Sequence, residues 1–100
     1  ENFNVIIPEA LLILKQGAEI DREKSVKGGK DRIDIMTLLC FTDINFKKYL
    51  ELLKKYKIEH FKYRLIEIIR NFKDMQYLEL NPRQLKLKKI KILDELLEIK

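Results

Sequence analysis

The sequence contains little cysteine, histidine, glycine, proline or tryptophan. Cys40 is the single cysteine and His60 the single histidine, and the 100 residues include 3 glycines, 2 prolines and no tryptophan. One cysteine cannot form an intramolecular disulfide, and one histidine beside it is too few for a patterned metal site. The low glycine and proline content excludes collagen-like repeats and fits a turn-rich β-sandwich poorly. We therefore expect no metal site, and a reducing, cytoplasmic setting for the free thiol.

Long apolar runs are also missing. The longest unbroken run, residues 10–14, lies between Glu9 and Lys15. A membrane-spanning helix needs roughly 18 to 20 apolar residues, and a secretory signal needs a basic segment followed by an apolar one. We therefore expect no membrane contact and no secretory signal. The abundance of Lys, Ile, Leu and Glu is typical of thermophile proteins.

The overall content of apolar and charged residues favours a helical domain. Apolar residues make up 46% of the chain and charged residues 37%, which argues against intrinsic disorder. A chain of 100 residues is long enough for one modest hydrophobic core. We predict an all-α fold with a single domain over residues 1–100, in which a compact bundle of about five helices follows a short extended N-terminal segment.

The N-terminal part is predicted to hold that extended segment and two helices. Residues 2–7 are β-branched and partly alternating, which favours an extended strand. Pro8 suits the first turn of a helix that we expect to run to about residue 24. The Gly28-Gly29 pair is expected to end that helix, and the second helix is predicted over residues 30–41. The apolar stripe of the first helix is expected at Leu11, Leu14 and Ala18.

The third and fourth helices follow from capping residues and apolar spacing. Thr42 or Asp43 is expected to cap the third helix. After a short connection at residues 57–59, the fourth helix is predicted to continue to Phe72. Residues 73–80 mix polar and apolar side chains, and we interpret them as an extended connector.

The last helix has a clear predicted start and two apolar faces. Asn81 is expected to cap it, with Pro82 at its first position and Gln84 completing a capping box, and the helix should run to about residue 99. At about 100° per residue, one face consists of Leu85, Ile92, Leu96 and Ile99. The other face consists of Leu87, Ile90 and Leu97. Two faces imply two packing partners, one of which we expect to be another protomer or a further domain.

Charge is unevenly distributed between the two parts of the chain. The net charge is +5 with a pI near 9.3, but residues 1–43 carry 6 basic and 8 acidic side chains, whereas residues 44–100 carry 15 and 8. A basic half attracts phosphate groups, although Lys and Glu interspersed on helices usually form only a solvated face. Binding of nucleic acid through residues 44–100 is therefore kept as one hypothesis.

Residues 15–34 form a dense cluster of mixed charge. A turn between the first two helices would let them fold back antiparallel, so that Lys15 or Arg22 meets Asp31 or Asp34. One interpretation is a network of salt bridges that fixes the packing of the two helices. The other is a polar site in which the basic side chains neutralise a phosphate and the acidic ones orient them.

The same stretch resembles a motif of a known family. Residues 7–18 (Ile-Pro-Glu-Ala-Leu-Leu-Ile-Leu-Lys-Gln-Gly-Ala), then Arg22, then residues 28–35 (Gly-Gly-Lys-Asp-Arg-Ile-Asp-Ile) are similar to the pattern P-x-x-L-x-x-x-K-x-x-A … R … K-D-x-x-D of nucleotidyltransferase-superfamily proteins. The AbiEii-like branch and its archaeal relatives carry this pattern. The resemblance implies a catalytic α/β domain that holds Mg²⁺ on a Gly-Ser … Asp-x-Asp motif, followed by a helical region that lines or supports the nucleotide site. Carried over by position, the nucleotide-binding or supporting residues are Lys15, Arg22, Lys30, Asp31 and Asp34.

The catalytic motif itself is missing from this chain. The sequence contains no Gly-Ser pair and no Asp-x-Asp triplet, and Asp31 and Asp34 are too far apart in sequence to supply one. The two-metal centre that nucleotidyl transfer requires is therefore absent, and we expect no catalysis by this chain alone. Because the chain begins at Glu1 rather than at methionine, we expect it to be the C-terminal helical domain of a longer nucleotidyltransferase-like protein, with its partner in a missing N-terminal catalytic domain. The alternative is a free-standing interaction module that forms homodimers.

Overall fold

The computed structural model describes residues 7–22, 24–73 and 75–98, with Met75 described by its backbone only. Within these residues the chain forms five α-helices and one short 3-10 helix and contains no strand, which confirms the predicted all-α bundle. The helices are α1 (Pro8–Asp21), α2 (Val26–Phe41), α3 (Phe46–Lys55), α4 (His60–Asn71) and α5 (Pro82–Glu98). The predicted extended segment lies outside the described residues except for Ile7, whose backbone is extended.

The turn between α1 and α2 comes earlier than predicted. Ser25 caps α2 by accepting a hydrogen bond from the Gly28 amide at 3.3 Å, and its own hydroxyl donates to the Arg22 carbonyl at 2.9 Å. Gly28 and Gly29 therefore lie in the first turn of α2 instead of ending α1, and neither has a positive φ. The prediction was wrong because Ser25 begins α2 ahead of the glycines and accepts the Gly28 amide in its cap.

The connections around α3 depend on two other capping residues. Asn45 caps α3 by accepting from the Lys48 amide at 3.1 Å, so the prediction of Thr42 or Asp43 was wrong; Thr42 instead follows the end of α2. Past the other end of α3, Lys57 has a φ of 59°, and the Ile58 amide donates to the Leu53 carbonyl at 2.9 Å. This is a Schellman ending, in which a left-handed residue lets the chain reverse direction.

The predicted start of α5 is confirmed. The Gln84 amide donates to Asn81 Oδ1 at 2.8 Å, and the Asn81 amide donates to Gln84 Oε1 at 3.0 Å, which is a reciprocal capping box. The connector before it is not extended as predicted. Met75–Leu78 forms the 3-10 helix, which lets Leu78 reach the core with 4% of its surface exposed.

All five α-helices and the 3-10 helix contribute residues to the core. The buried apolar residues are Leu12, Ile35, Met36, Leu39, Ile44, Phe46, Tyr49, Leu53, Leu65, Ile66, Ile68, Ile69, Phe72, Leu78, Leu85, Ile92 and Leu96. Burying each large apolar side chain contributes about 1.5–3 kcal/mol, so this cluster provides the main driving force for folding. The predicted stripe on α1 is wrong in phase, because Leu14 is 59% exposed and Leu12 is the buried leucine.

None of the described helices is both long enough and apolar enough to cross a membrane.

Candidate functional site

Two ion pairs join α1 to α2 along one edge of the structure. Lys15 Nζ lies 3.4 Å from Asp34 Oδ2, and Arg22 Nη2 lies 3.1 Å from Asp31 Oδ2 and donates to Asp31 Oδ1 at 3.2 Å. Lys15, the earlier of the two cations in sequence, pairs with Asp34, the later of the two carboxylates. This order shows that the two helices are antiparallel. The prediction that these four side chains meet across the helix pair is confirmed.

The two pairs differ in exposure. The side chains of Lys15 and Asp34 are 39% and 52% exposed, and an ion pair in such a setting contributes at most about 1 kcal/mol to stability. The Asp31 side chain is buried while that of Arg22 is 42% exposed. Asp31 Oδ2 accepts no hydrogen bond from the described residues, so its charge is balanced by Arg22 through the ion pair.

Lys30 is the one predicted site residue that the structure does not bring into this arrangement. It lies in the first turn of α2, and its side chain is exposed. It takes no part in the ion pairs that join the described residues of α1 and α2.

The most buried charge in the described part of the chain is Glu19, which was not among the predicted site residues. Its side chain is fully buried, and its carboxylate accepts hydrogen bonds from Arg32 Nη1 at 2.7 Å and from Arg64 Nε at 2.8 Å. Arg64 Nη2 donates to the same carboxylate, and Arg64 also pairs with Glu67. One carboxylate on α1 therefore joins α2 and α4.

Glu19 is held in its charged form. Burial alone would raise the pKa of Glu19, but the hydrogen bonds and positive charges of Arg64 and Arg32 outweigh it, and the pKa lies below its ordinary value of 4.5. A buried charge is tolerated when it is paired and its oxygens are hydrogen-bonded, and both conditions are met here.

A second buried polar contact joins α1 to α3 and α4. Gln16 is fully buried; its Nε2 donates to the Phe61 carbonyl at 2.9 Å, and its Oε1 accepts from the Tyr49 hydroxyl. Burial raises the pKa of Tyr49, with the hydrogen bond to Gln16 acting in the opposite direction, so the hydroxyl stays protonated and remains a donor. Both the nitrogen and the oxygen of the Gln16 side-chain amide therefore have a hydrogen-bond partner, as a buried amide requires.

Glu9 makes the corresponding contact at the start of α1. Its Oε2 accepts from the Asn45 amide at 2.8 Å, although only 7% of the residue is exposed. Asn45 is the cap of α3, so the carboxylate lies at the positive end of that helix, where a negative charge is favourable.

The buried side of α1 has a regular helical spacing. Glu9, Leu12, Gln16 and Glu19 are separated by three, four and three residues, which puts them on one side of a helix. Because α1 has many apolar residues, a second stripe that contains Leu14 has the same helical spacing, and the prediction placed that stripe in the core. The polar stripe becomes recognisable only when Arg64 and Tyr49, which are distant in sequence, are known to face it.

Two grooves lie beside these contacts. One, of about 250 Å³, borders the Lys15–Asp34 pair and is lined by Leu11, Lys15, Asp34, Thr37, Leu38, Phe41 and Thr42. The other, of about 490 Å³, borders the Glu19 cluster and is lined by Arg32, Arg64, Glu67, Ile68, Asn71, Phe72 and Lys73. The first is the groove that adjoins predicted site residues.

Cys40 and His60 do not form a reactive pair. Burial raises the pKa of the Cys40 thiol, with Lys88 acting in the opposite direction, so the thiol is protonated near neutral pH. His60 is exposed and contacts Phe61 edge to face at 5.0 Å. Across residues 7–22, 24–73 and 75–98, no three His, Cys, Asp or Glu side chains come together as a set that could hold a metal ion.

Comparison of the chain with protein-family models, with curated proteins and with solved structures gives no match.

Proposed function

We propose that this chain is the helical region of a nucleotidyltransferase-like protein and that its α1–α2 edge contacts the phosphates of a nucleotide. The observation that carries the proposal is the pairing of Lys15 with Asp34 and of Arg22 with Asp31. These are four of the five site residues that the family's pattern carries over to this chain. Their pairing along one edge supports a shared role.

The geometry suits phosphate binding by Lys15 and Arg22. Each cation is more than one-third exposed, so an incoming anion can reach it. The Lys15–Asp34 pair is long and exposed, and a phosphate can share or replace the carboxylate at a cost of about 1 kcal/mol or less. The buried Asp31 holds the Arg22 guanidinium in one orientation, which favours planar recognition of phosphate.

The adjoining groove offers a place for the rest of the ligand. Leu11, Leu38 and the exposed Phe41 supply apolar and aromatic surface, and Thr37 and Thr42 supply hydroxyl groups. A nucleobase stacks well on an exposed aromatic ring. The groove therefore suits a base or sugar attached to a phosphate bound at Lys15.

The described residues form no site for the catalytic metal of such a protein. Asp31 and Asp34 are already paired with Arg22 and Lys15, and the described carboxylates form no cluster that suits Mg²⁺. The Mg²⁺ that the resemblance implies would be held by the Asp-x-Asp motif of a catalytic α/β domain. We assign no chemical step to this chain, whose part in the proposal is to bind and orient.

Titration with ATP, followed by amide chemical shifts, tests this proposal. We expect millimolar ATP to shift the amide signals of Leu11, Thr37 and Phe41 more than those of α3. Lys15→Met keeps the aliphatic part of the side chain and removes its charge, and it should weaken binding about tenfold, because a charge-assisted hydrogen bond contributes about 1.5–3 kcal/mol.

Lys54→Met is the matched control, because Lys54 is an exposed lysine on α3. This variant should bind ATP as the unmodified chain does. An equal loss in both variants would mean that ATP responds only to overall positive charge. That result, or a titration with no localised shifts, contradicts the proposal.

A further inference from the structure

The outer face of α5 carries a stripe of exposed apolar side chains. Leu87, Ile90 and Leu97 are 57%, 48% and 48% exposed, and their spacing puts them on one side of the helix. The opposite side of α5 is in the core. About half of the surface of each residue is left uncovered by the described part of the chain.

The charges of α5 are separated along its axis. The basic residues of the helix all lie in its N-terminal part and are Arg83, Lys86, Lys88, Lys89 and Lys91. The acidic residues all lie in its C-terminal part and are Asp94, Glu95 and Glu98. This order opposes the helix dipole, which favours acidic residues at the N-terminus and basic residues at the C-terminus.

Only some of these charges have a role inside the chain. Lys88 Nζ donates to the Cys40 carbonyl at 3.2 Å, and Lys89 Nζ donates to the Phe72 carbonyl at 2.6 Å. Lys86 and Glu98, by contrast, form no ion pair with any residue in the described part of the chain. These two exposed charges are therefore available to a partner.

We propose that α5 pairs antiparallel with α5 of a second copy of this chain. The antiparallel arrangement sets the basic part of each helix against the acidic part of the other and offsets the unfavourable order of charges in both. In one register, Lys86 lies opposite the partner's Glu98 and Leu87 opposite the partner's Leu97. The two-fold axis then passes near position 92, and Ile90 lies opposite the partner's Asp94. The proposal is independent of the nucleotide site on α1 and α2.

The order of charges along α5 favours a second copy of the chain over other partners for the exposed stripe. A two-fold contact requires a surface that is complementary to itself, and a helix that is basic at one end and acidic at the other meets this condition only when antiparallel. Asp94 and Glu98 would repel nucleic acid. An interfacial membrane helix would carry basic residues on its polar face along its whole length, which α5 does not.

The length of α5 limits the strength of the dimer. Its 17 residues span about 25 Å at 1.5 Å per residue. Two helices of this length bury less than the ~1,600 Å² of a standard interface, so we expect a dissociation constant in the micromolar range.

Sedimentation equilibrium across micromolar to millimolar protein concentrations tests the pairing. We expect a reversible monomer–dimer equilibrium for the unmodified chain. Ile90→Asp should raise the dissociation constant at least about a hundredfold, because it removes apolar contact from both copies and sets a carboxylate opposite the partner's Asp94. Leu14→Asp is the matched control, because Leu14 is an exposed leucine on α1, and it should dimerise as the unmodified chain does.

Exchange of two charges tests the orientation. Lys86→Glu and Glu98→Lys should each raise the dissociation constant about tenfold, since each creates two like-charge contacts in an antiparallel homodimer. An equal mixture of the two variants should form a heterodimer with the affinity of the unmodified chain, because every contact is then between opposite charges. Restored association also shows that both variants are folded.

Three results would overturn the proposal. The first is an unmodified chain that stays monomeric at millimolar concentration. The second is association that Ile90→Asp leaves unchanged. The third is a dimer that neither Lys86→Glu nor Glu98→Lys weakens, since a parallel pair already sets like charges against each other.

Discussion

Helices α1 and α5 distribute polar and apolar residues in opposite ways. α1 buries Glu9, Gln16 and Glu19 and exposes Leu14, whereas α5 buries one apolar face and exposes another. The buried polar groups of α1 are hydrogen-bonded to α2, α3 or α4. The outer apolar residues of α5 keep about half of their surface exposed. The comparison indicates that α1 joins the other helices through buried polar contacts, whereas α5 packs one apolar face in the core and leaves the other exposed.

The largest expected effect separates the two faces of α5. Leu96→Ala should lower the free energy of unfolding by about 3 kcal/mol, because Leu96 is fully buried and its truncation leaves a cavity. Leu97→Ala, on the exposed face, should change it by less than about 0.5 kcal/mol. Urea unfolding of dilute, monomeric protein measures both. Equal losses would mean that the stripe is already packed within the monomer.

Removing the charge of Glu19 should affect α1 almost as strongly. Glu19→Gln leaves Arg32 and Arg64 without the carboxylate that joins them, and the free energy of unfolding should fall by about 3 kcal/mol. Urea unfolding followed by circular dichroism measures the loss. Glu67→Gln is a suitable control, because Glu67 pairs with the same Arg64 but is exposed. If the two variants were equally stable, the buried carboxylate would not be the link between the helices.

A smaller loss is expected at the other buried polar contact of α1. Tyr49→Phe keeps the ring and removes the hydroxyl, so Gln16 Oε1 loses its donor in a buried site. The expected cost is about 1–2 kcal/mol in chemical unfolding. Tyr56→Phe serves as the control, because Tyr56 is exposed and should lose almost nothing. A stable Tyr49→Phe variant would imply that water or another group satisfies Gln16.

The smallest effect is expected at the outer edge of α1. Asp34→Asn should change the free energy of unfolding by less than about 0.5 kcal/mol, since the Lys15–Asp34 pair is exposed. The same substitution should alter ATP binding, because it changes the group that orients Lys15. Thermal unfolding and ATP titration of one variant therefore separate the two interpretations of this pair. A loss above about 2 kcal/mol would make the pair structural.

Patterns that are local in sequence predicted much of the fold. The capping box of Asn81 and Gln84, the two faces of α5 and the meeting of Lys15 and Arg22 with Asp34 and Asp31 all depend on residues a few positions apart or on one helix hairpin. The predicted start of α2 was wrong because the Gly28-Gly29 pair and the preceding Ser25 are both turn signals, and the serine cap begins the helix first. Local competition between two turn signals decided that boundary.

The inner face of α1 could not be predicted in the same way. From its neighbours in sequence, Glu19 resembles a surface residue. Its partner Arg64 lies 45 positions further along the chain. Gln16 and Tyr49 are likewise joined over 33 positions. Buried polar residues are identified by their partners, and no local pattern specifies partners on other helices. For this reason the prediction of which side of α1 is buried was wrong.

The ionisation of Glu19 tests the central claim, that a charged carboxylate inside the bundle joins α1, α2 and α4. Carbon-13 NMR of the Glu side-chain carboxyl groups would follow it directly during an acid titration. We predict a pKa below the ordinary value of 4.5, with stability that is complete above that value and is lost as the pH falls through the lower, folded-state pKa. A pKa at or above 4.5 would contradict the claim, because burial would then outweigh the two arginines.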